Sequence, residues 1–265
     1  VSSFFAQQLS AIDVYDGEIC GLTRAGGLFR CIHNYDGEIY GLGLQGEFGP
    51  EHTQIFIQSL INNYGVCART PEGSLTCKPA IGEKIIQGQF KDFSMSDELI
   101  CGVSATGQIQ CNDEEVDMAE LILQPMNRLG PYEKVSVWRP QGPRNPKTNV
   151  CALDASGQLS CRDARGRDPS HLVDAHRRLS NERFSEFVMG QASGCGLTAA
   201  GRIRCVGWDF FGQVSNAPQG EGYVTLSAGS KSYCATKADG TAGCWGENSG
   251  SFDEPLEYVA LSPEQ

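Results

Sequence analysis

Twelve cysteines supply the most regular chemistry in the chain. They fall into six pairs: Cys20/Cys31, Cys67/Cys77, Cys101/Cys111, Cys151/Cys161, Cys195/Cys205 and Cys234/Cys244. Five pairs are ten residues apart and the first is eleven. Cysteines can bind zinc, but zinc sites use short Cys-x2-4-Cys knuckles, which the ten-residue spacing does not resemble. The remaining chemistry is oxidation to disulfides, which leaves no thiol over.

The residues between the cysteines explain the spacing. In Cys195-Gly-Leu-Thr-Ala-Ala-Gly-Arg-Ile-Arg-Cys205, a turn at Ala199-Ala200-Gly201 sets Thr198 opposite Arg202. Leu197 then faces Ile203 and Cys195 faces Cys205. A three-residue hairpin loop places its third residue at positive φ, where glycine is favoured. Gly73, Gly107, Gly157 and Gly240 stand at the same position in four other pairs. Hydrogen-bonded and non-hydrogen-bonded pairs alternate outward from the turn, so the cysteines land on a non-hydrogen-bonded pair. Cα atoms there are about 4.5 Å apart, a distance that a disulfide spans. Six β-hairpins are predicted, each closed by its own disulfide.

Other chemistry is sparse. His171 and His176 are five residues apart, off the i, i+4 spacing of metalloprotease helices. Asp113-Glu114-Glu115-Val116-Asp117 lacks the glycine and terminal glutamate of an EF-hand loop and reads as solvated. No nucleophile elbow, phosphate loop or dinucleotide fingerprint occurs. The expectation is a protein that is not an enzyme, with no metal and no cofactor.

Composition narrows the partners. The net charge is −11, with a pI near 4.8. Basic residues are scattered, apart from His176-Arg177-Arg178 and an interrupted group between Arg162 and Arg167. Nucleic-acid binding needs clustered Lys and Arg to displace counterions, so it is not expected. No run of eighteen apolar residues exists, so no transmembrane helix is expected. Six disulfides imply an oxidising compartment, hence a secreted or extracytoplasmic protein. A start at Val1 suits a processed precursor, and a trimmed chain would look the same.

The elements that hold these pairs repeat. First cysteines are separated by steps of 47, 34, 50, 44 and 39 residues. Repeats of about 35–50 residues built from short strands indicate a propeller or a β-solenoid. Phe56, Phe90, Phe184 and Tyr223 each stand eleven residues before a first cysteine and open an apolar strand. At the C-terminus, Tyr258-Val-Ala-Leu-Ser262 echoes Tyr223-Val-Thr-Leu-Ser227 without a hairpin after it. Such a strand suits closure of a ring against the first repeat, although Phe4 to Ser10 also reads as an opening strand. The fold expectation is therefore an all-β single domain over residues 1–265: a β-propeller of six blades, with seven as the alternative. Tyr15-Asp-Gly-Glu-Ile19 recurs as Tyr35-Asp-Gly-Glu-Ile39, which reads as a local duplication extending the first repeat.

Cys234-Ala-Thr-Lys-Ala-Asp-Gly-Thr-Ala-Gly-Cys244-Trp-Gly-Glu-Asn-Ser-Gly250 resembles the repeat of the regulator-of-chromosome-condensation propeller superfamily. Gly207-Trp208 with Phe211-Gly-Gln213 matches the end of that motif. The paired cysteines resemble its secreted branch, such as crinkly-type plant receptor ectodomains and bacterial extracellular repeat proteins. The resemblance implies a propeller used for binding; it does not carry over exchange-factor or kinase function.

Candidate binding residues come from segments that break the repeat: 35–55, 112–134 and 138–149, together with Trp208 to Phe211. Loops on a rigid scaffold concentrate binding residues. Trp208, Asp209, Phe210 and Phe211 put three aromatics in four residues. Trp138 and Arg139 open a Pro-rich insert, and Tyr35 and Asp36 open the duplicated segment. Aromatic faces anchor protein interfaces and also stack on sugar rings. In the superfamily the Trp-Gly step commonly packs between blades, which is the competing reading for Trp208 and Trp245. The expected function is non-enzymatic binding of a protein partner or extracellular assembly. A glycan-binding lectin is the first alternative and an extracellular carbohydrate-active enzyme the second.

Overall fold

Each cysteine pair closes a hairpin, and each hairpin gains a third strand from the chain before it. The computed structural model describes residues 9–15, 18–23, 28–35, 38–47, 54–60, 63–78, 89–96, 99–112, 122–138, 148–163, 179, 181–191, 193–239 and 241–247. The first sheet has four strands in chain order, β1 (Leu9–Tyr15), β2 (Glu18–Thr23), β3 (Leu28–Tyr35) and β4 (Glu38–Glu47). Three-stranded sheets follow: β5 (Gln54–Leu60), β6 (Asn63–Arg69), β7 (Leu75–Lys78); then β8 (Phe90–Ser96), β9 (Leu99–Ser104), β10 (Ile109–Cys111). Next come β11 (Tyr132–Trp138), β12 (Asn149–Asp154), β13 (Leu159–Asp163), and β14 (Phe184–Met189), β15 (Ser193–Thr198), β16 (Ile203–Gly207). The last is β17 (Tyr223–Ala228), β18 (Ser232–Lys237), β19 (Ala242–Gly246). Helix α1 (Gln124–Leu129) lies in the insert between β10 and β11.

The cysteines sit where the spacing puts them. Cys195 pairs with Cys205 and Leu197 with Ile203. The five fully described disulfides join Cys20–Cys31, Cys101–Cys111, Cys151–Cys161, Cys195–Cys205 and Cys234–Cys244, with Cα separations of 4.0–4.1 Å. Cys67 is also disulfide-bonded and lies opposite Cys77. The duplicated Tyr-Asp-Gly-Glu sequence forms two similar hairpin ends. Tyr15 pairs with Glu18 and Tyr35 with Glu38, so the duplication lengthens the first sheet by one strand.

The turn glycines also join one sheet to the next. Gly201 has φ +75°, and its carbonyl accepts the N–H of Tyr223, the first residue of β17, at 3.2 Å. A Cβ at Gly201 would lie 2.6 Å from the Gly222 nitrogen. The same contact recurs where Phe90, Tyr132 and Phe184 donate to Gly73, Gly107 and Gly157. Turn geometry and sheet-to-sheet approach therefore require the same glycine.

Apolar layers lie between successive sheets, and β12 shows how period-two alternation builds them. Val150 and Ala152 pack with Leu99, Val103 and Val135, while Cys151 and Leu153 pack with Phe184, Phe187 and Met189. A further layer joins Leu197 and Ile203 to Leu226, Tyr233 and Trp245. The first strand of each sheet lies beside the first strand of the next, and β1 lies beside both β5 and β17. The proposed closing strand, Tyr258 to Ser262, falls outside the described residues. Within the first sheet, the position next to β2 is occupied by β1.

Candidate binding surface

The segment after β16 carries the largest exposed aromatics among the described residues. Trp208 is 59% exposed, Phe210 81% and Phe211 43%. Trp208 and Phe210 meet edge to face, with ring centroids 5.6 Å apart. The Lys231 Nζ lies over the Phe211 ring, 4.8 Å from its centroid, and pairs with Glu247 at 2.8 Å. Exposed rings normally lose area to the core. These are held out because the backbone beneath them is fixed.

That backbone is tied down by its own polar side chains. Asp209 Oδ1 accepts the N–H groups of Val214 at 2.8 Å and Ser215 at 2.9 Å. Slight burial raises the Asp209 pKa, but the Ser215 and Val214 amides outweigh it and hold the carboxyl below its usual range. Gln213 is buried; its Oε1 accepts from the Phe211 N–H at 2.8 Å. Its backbone carbonyl accepts the Trp245 Nε1–H at 3.0 Å. Trp245 stacks on Tyr233, whose hydroxyl shares a 2.7 Å hydrogen bond with Ser193. Burial drives the Tyr233 pKa well above the ordinary phenol range, so this hydroxyl stays neutral as part of the support. Trp245 is thus core, as inter-blade packing predicts, whereas Trp208 is surface.

The other candidates separate. Trp138 is 8% exposed and packs with Leu153, Phe184 and Phe187. Its expected role as a surface anchor is corrected: as the last residue of β11, it turns into the layer between two sheets. Tyr35 ends β3 opposite Glu38, in a different sheet from β16, the strand that leads into Trp208. Arg139 and Asp36 lie outside the described residues. Among the described residues, the structure brings Trp208, Asp209, Phe210 and Phe211 together and places Trp138 apart from them, in the layer between two sheets.

A second polar group lies along the first strands of the sheets. Asp92 Oδ2 on β8 accepts the Val135 N–H of β11 at 2.9 Å, and Ser94 Oγ accepts the Val137 N–H at 3.0 Å. Ser136 Oγ accepts the Met189 N–H of β14 at 3.0 Å, and Glu186 Oε2 accepts the Leu226 N–H of β17 at 2.9 Å. Ser227 on β17 donates to Asp13 on β1. Lys134 lies 3.5 Å from Asp92, which raises the ammonium pKa more than burial lowers it. Burial lifts the Glu186 pKa to about 7, opposed by Lys134 and the Leu226 amide and reinforced by Asp92 and Asp13. Its surface is still partly accessible, so the carboxyl is crowded without being sealed. These carboxylates act as inter-strand acceptors. The sequence signal is an aromatic followed by polar residues two and four places on, as in Phe90-Lys-Asp92-Phe-Ser94.

No family model and no curated protein matches this sequence. Among solved structures, the chain is similar to the entire ectodomain of the Physcomitrella patens receptor kinase CR4. The identity is 17% and the TM-score 0.44, over 89% of this chain and 60% of that one. The chain thus spans less than two thirds of that ectodomain's length. It is similar to the CRINKLY WD40 ectodomain of the Arabidopsis thaliana receptor kinase ACR4, at 17% identity and TM-score 0.46, over 91% and 96% of the two chains. It is also similar to human WBSCR16, at 10% identity and TM-score 0.49, over 91% and 76%. Identities below 25% and TM-scores below 0.5 transfer no partner or ligand to this chain.

Proposed function

We propose that this chain is a non-enzymatic, disulfide-stapled β-propeller that binds a protein partner in an extracellular or other oxidising compartment. Trp208, Phe210 and Phe211 form the contact surface. The carrying observation is a loop whose aromatics face solvent while Asp209 Oδ1 and the buried Gln213 bond the loop's own backbone. Rigid aromatics with a settled backbone are what interface anchors use, because little entropy remains to be lost on binding. The disulfides and the repeated layers suit the secreted branch of the regulator-of-chromosome-condensation superfamily. Six blades are supported by six sheets whose first strands lie side by side, with β1 beside both β5 and β17.

A sugar ring could also stack on Trp208, which keeps the lectin reading as the competitor. Sugar sites add directed hydrogen bonds to the stacking face. Here Asp209 and Gln213 already accept from Val214, Ser215 and Phe211, which favours an apolar protein contact. A glycan array probed with wild type and W208A separates the readings. The proposal expects no glycan signal that depends on Trp208; a Trp208-dependent signal replaces it with the lectin.

A further inference from the structure

Outer sheet edges in this protein receive different cover. In the first sheet, β4 pairs with β3 along its length. In the third, a side chain does the same work for β10. Asn127 Oδ1 accepts the Ile109 N–H at 2.8 Å, and its Nδ2 donates to the Ile109 carbonyl at 3.0 Å. The amide of Asn127 stands in for one residue of a neighbouring strand. Leu159, at the matching place on β13, also has a partner.

Strand β16 carries no such cover among the described residues. Cys195–Cys205 and Leu197–Ile203 are non-hydrogen-bonded pairs, since they alternate with the bonded Thr198–Arg202 end of the hairpin. The N–H and C=O of Ile203 and Cys205 therefore point away from β15, toward the open edge. The chain leaving this edge runs directly into Trp208 and Phe210. On β19 the corresponding position, Ala242, has no such cover among the described residues either, but that strand carries buried Trp245 rather than exposed rings.

We propose that β16 is a strand-addition site: an extended segment of the partner protein pairs with Ile203–Gly207 and lays an apolar side chain on Trp208 and Phe210. This rests on the reading of the aromatic loop as the contact surface. Backbone pairing supplies affinity and the aromatic anchor selects the side chain. The occupant is a strand because β4 and the Asn127 amide fill this same place elsewhere in the molecule. A second copy of the chain is disfavoured by the net charge of −11. Arg202, paired with Glu221, and Arg204, paired with Glu182, put charge on the edge, a device that blocks indiscriminate pairing.

The test uses a phage-displayed library of short random peptides, panned on the whole protein and counter-selected on the W208A/F210A variant. Synthetic copies of enriched peptides are then followed by amide hydrogen exchange. Strand addition expects exchange at Ile203 and Cys205 to slow by roughly tenfold or more at saturation. N-methylation at alternate peptide residues should abolish binding, while the intervening residues tolerate it. Peptides that require Trp208 and Phe210 but leave Ile203 and Cys205 exchange unchanged would overturn strand addition and preserve the aromatic surface. A library yielding no Trp208- or Phe210-dependent binder would also overturn it, and the native-partner measurement would then judge the surface independently.

Discussion

Glu186 places a carboxyl where four first strands converge. Lys134 of β11, Asp92 of β8, Asp13 of β1 and the Leu226 amide of β17 all act on it. Its pKa rises from an ordinary value of 4.5 to about 7, burial being the leading cause. A raised folded-state pKa contributes stability that is complete below about pH 4.5 and is lost as pH rises through about 7. Glu186→Gln keeps an acceptor for Leu226 and removes the charge. The variant should gain on wild type by about 2–3 kcal/mol between pH 4.5 and 8, discounted for partial exposure. Urea denaturation across that range checks it; parallel stability curves would remove Glu186 from this role. Gly201→Val tests a different kind of residue. It meets both a positive φ and the backbone of Gly222, so it should cost about 3 kcal/mol or more. An unchanged denaturation midpoint would contradict the turn register.

At the scale of elements, a hairpin disulfide closes a short loop. Replacing Cys195 and Cys205 together by serine should cost about 2–3 kcal/mol, read from the urea midpoint. A variant as stable as wild type would show that the hairpin needs no staple. The hairpins were legible because cysteine spacing, turn glycine and alternation agree on one register. The fourth strand of the first sheet was legible in part, since the repeated Tyr-Asp-Gly-Glu marks two hairpin ends. Trp138 was not legible: nothing beside a Pro-rich insert distinguishes a ring that turns into the core from one that stays out. Trp208 and Trp245 pose the same problem, because each neighbours a glycine at the end of an outer strand. Their opposite fates meet at Gln213, whose carbonyl accepts from the buried Trp245 ring while its Oε1 accepts from the Phe211 N–H of the exposed loop. The polar row along the first strands is not legible in the sequence because each acceptor finds its donor on another sheet, which local spacing does not reveal.

At the scale of the molecule, β1 is the element that touches both ends of the series. It lies beside β5 and β17, and Asp13 accepts from Ser227. Removing residues 1–15 should uncover apolar surface on two sheets and lower the melting temperature far more than loss of an exposed tail. Thermal melts with unchanged midpoints and no aggregation would contradict the proposed six-bladed ring. The central claim is that this scaffold presents one rigid aromatic surface to a protein. It is tested most directly by the hydrogen-exchange footprint of the native partner, isolated by co-purification from the natural source. The account predicts protection at Trp208 to Gln213 and at Lys231. It also predicts that Phe210→Ala weakens the complex by about 2 kcal/mol or more while leaving the melting temperature unchanged. Protection confined to other loops, with Trp208, Phe210 and Phe211 all replaceable by alanine at full affinity, would contradict it.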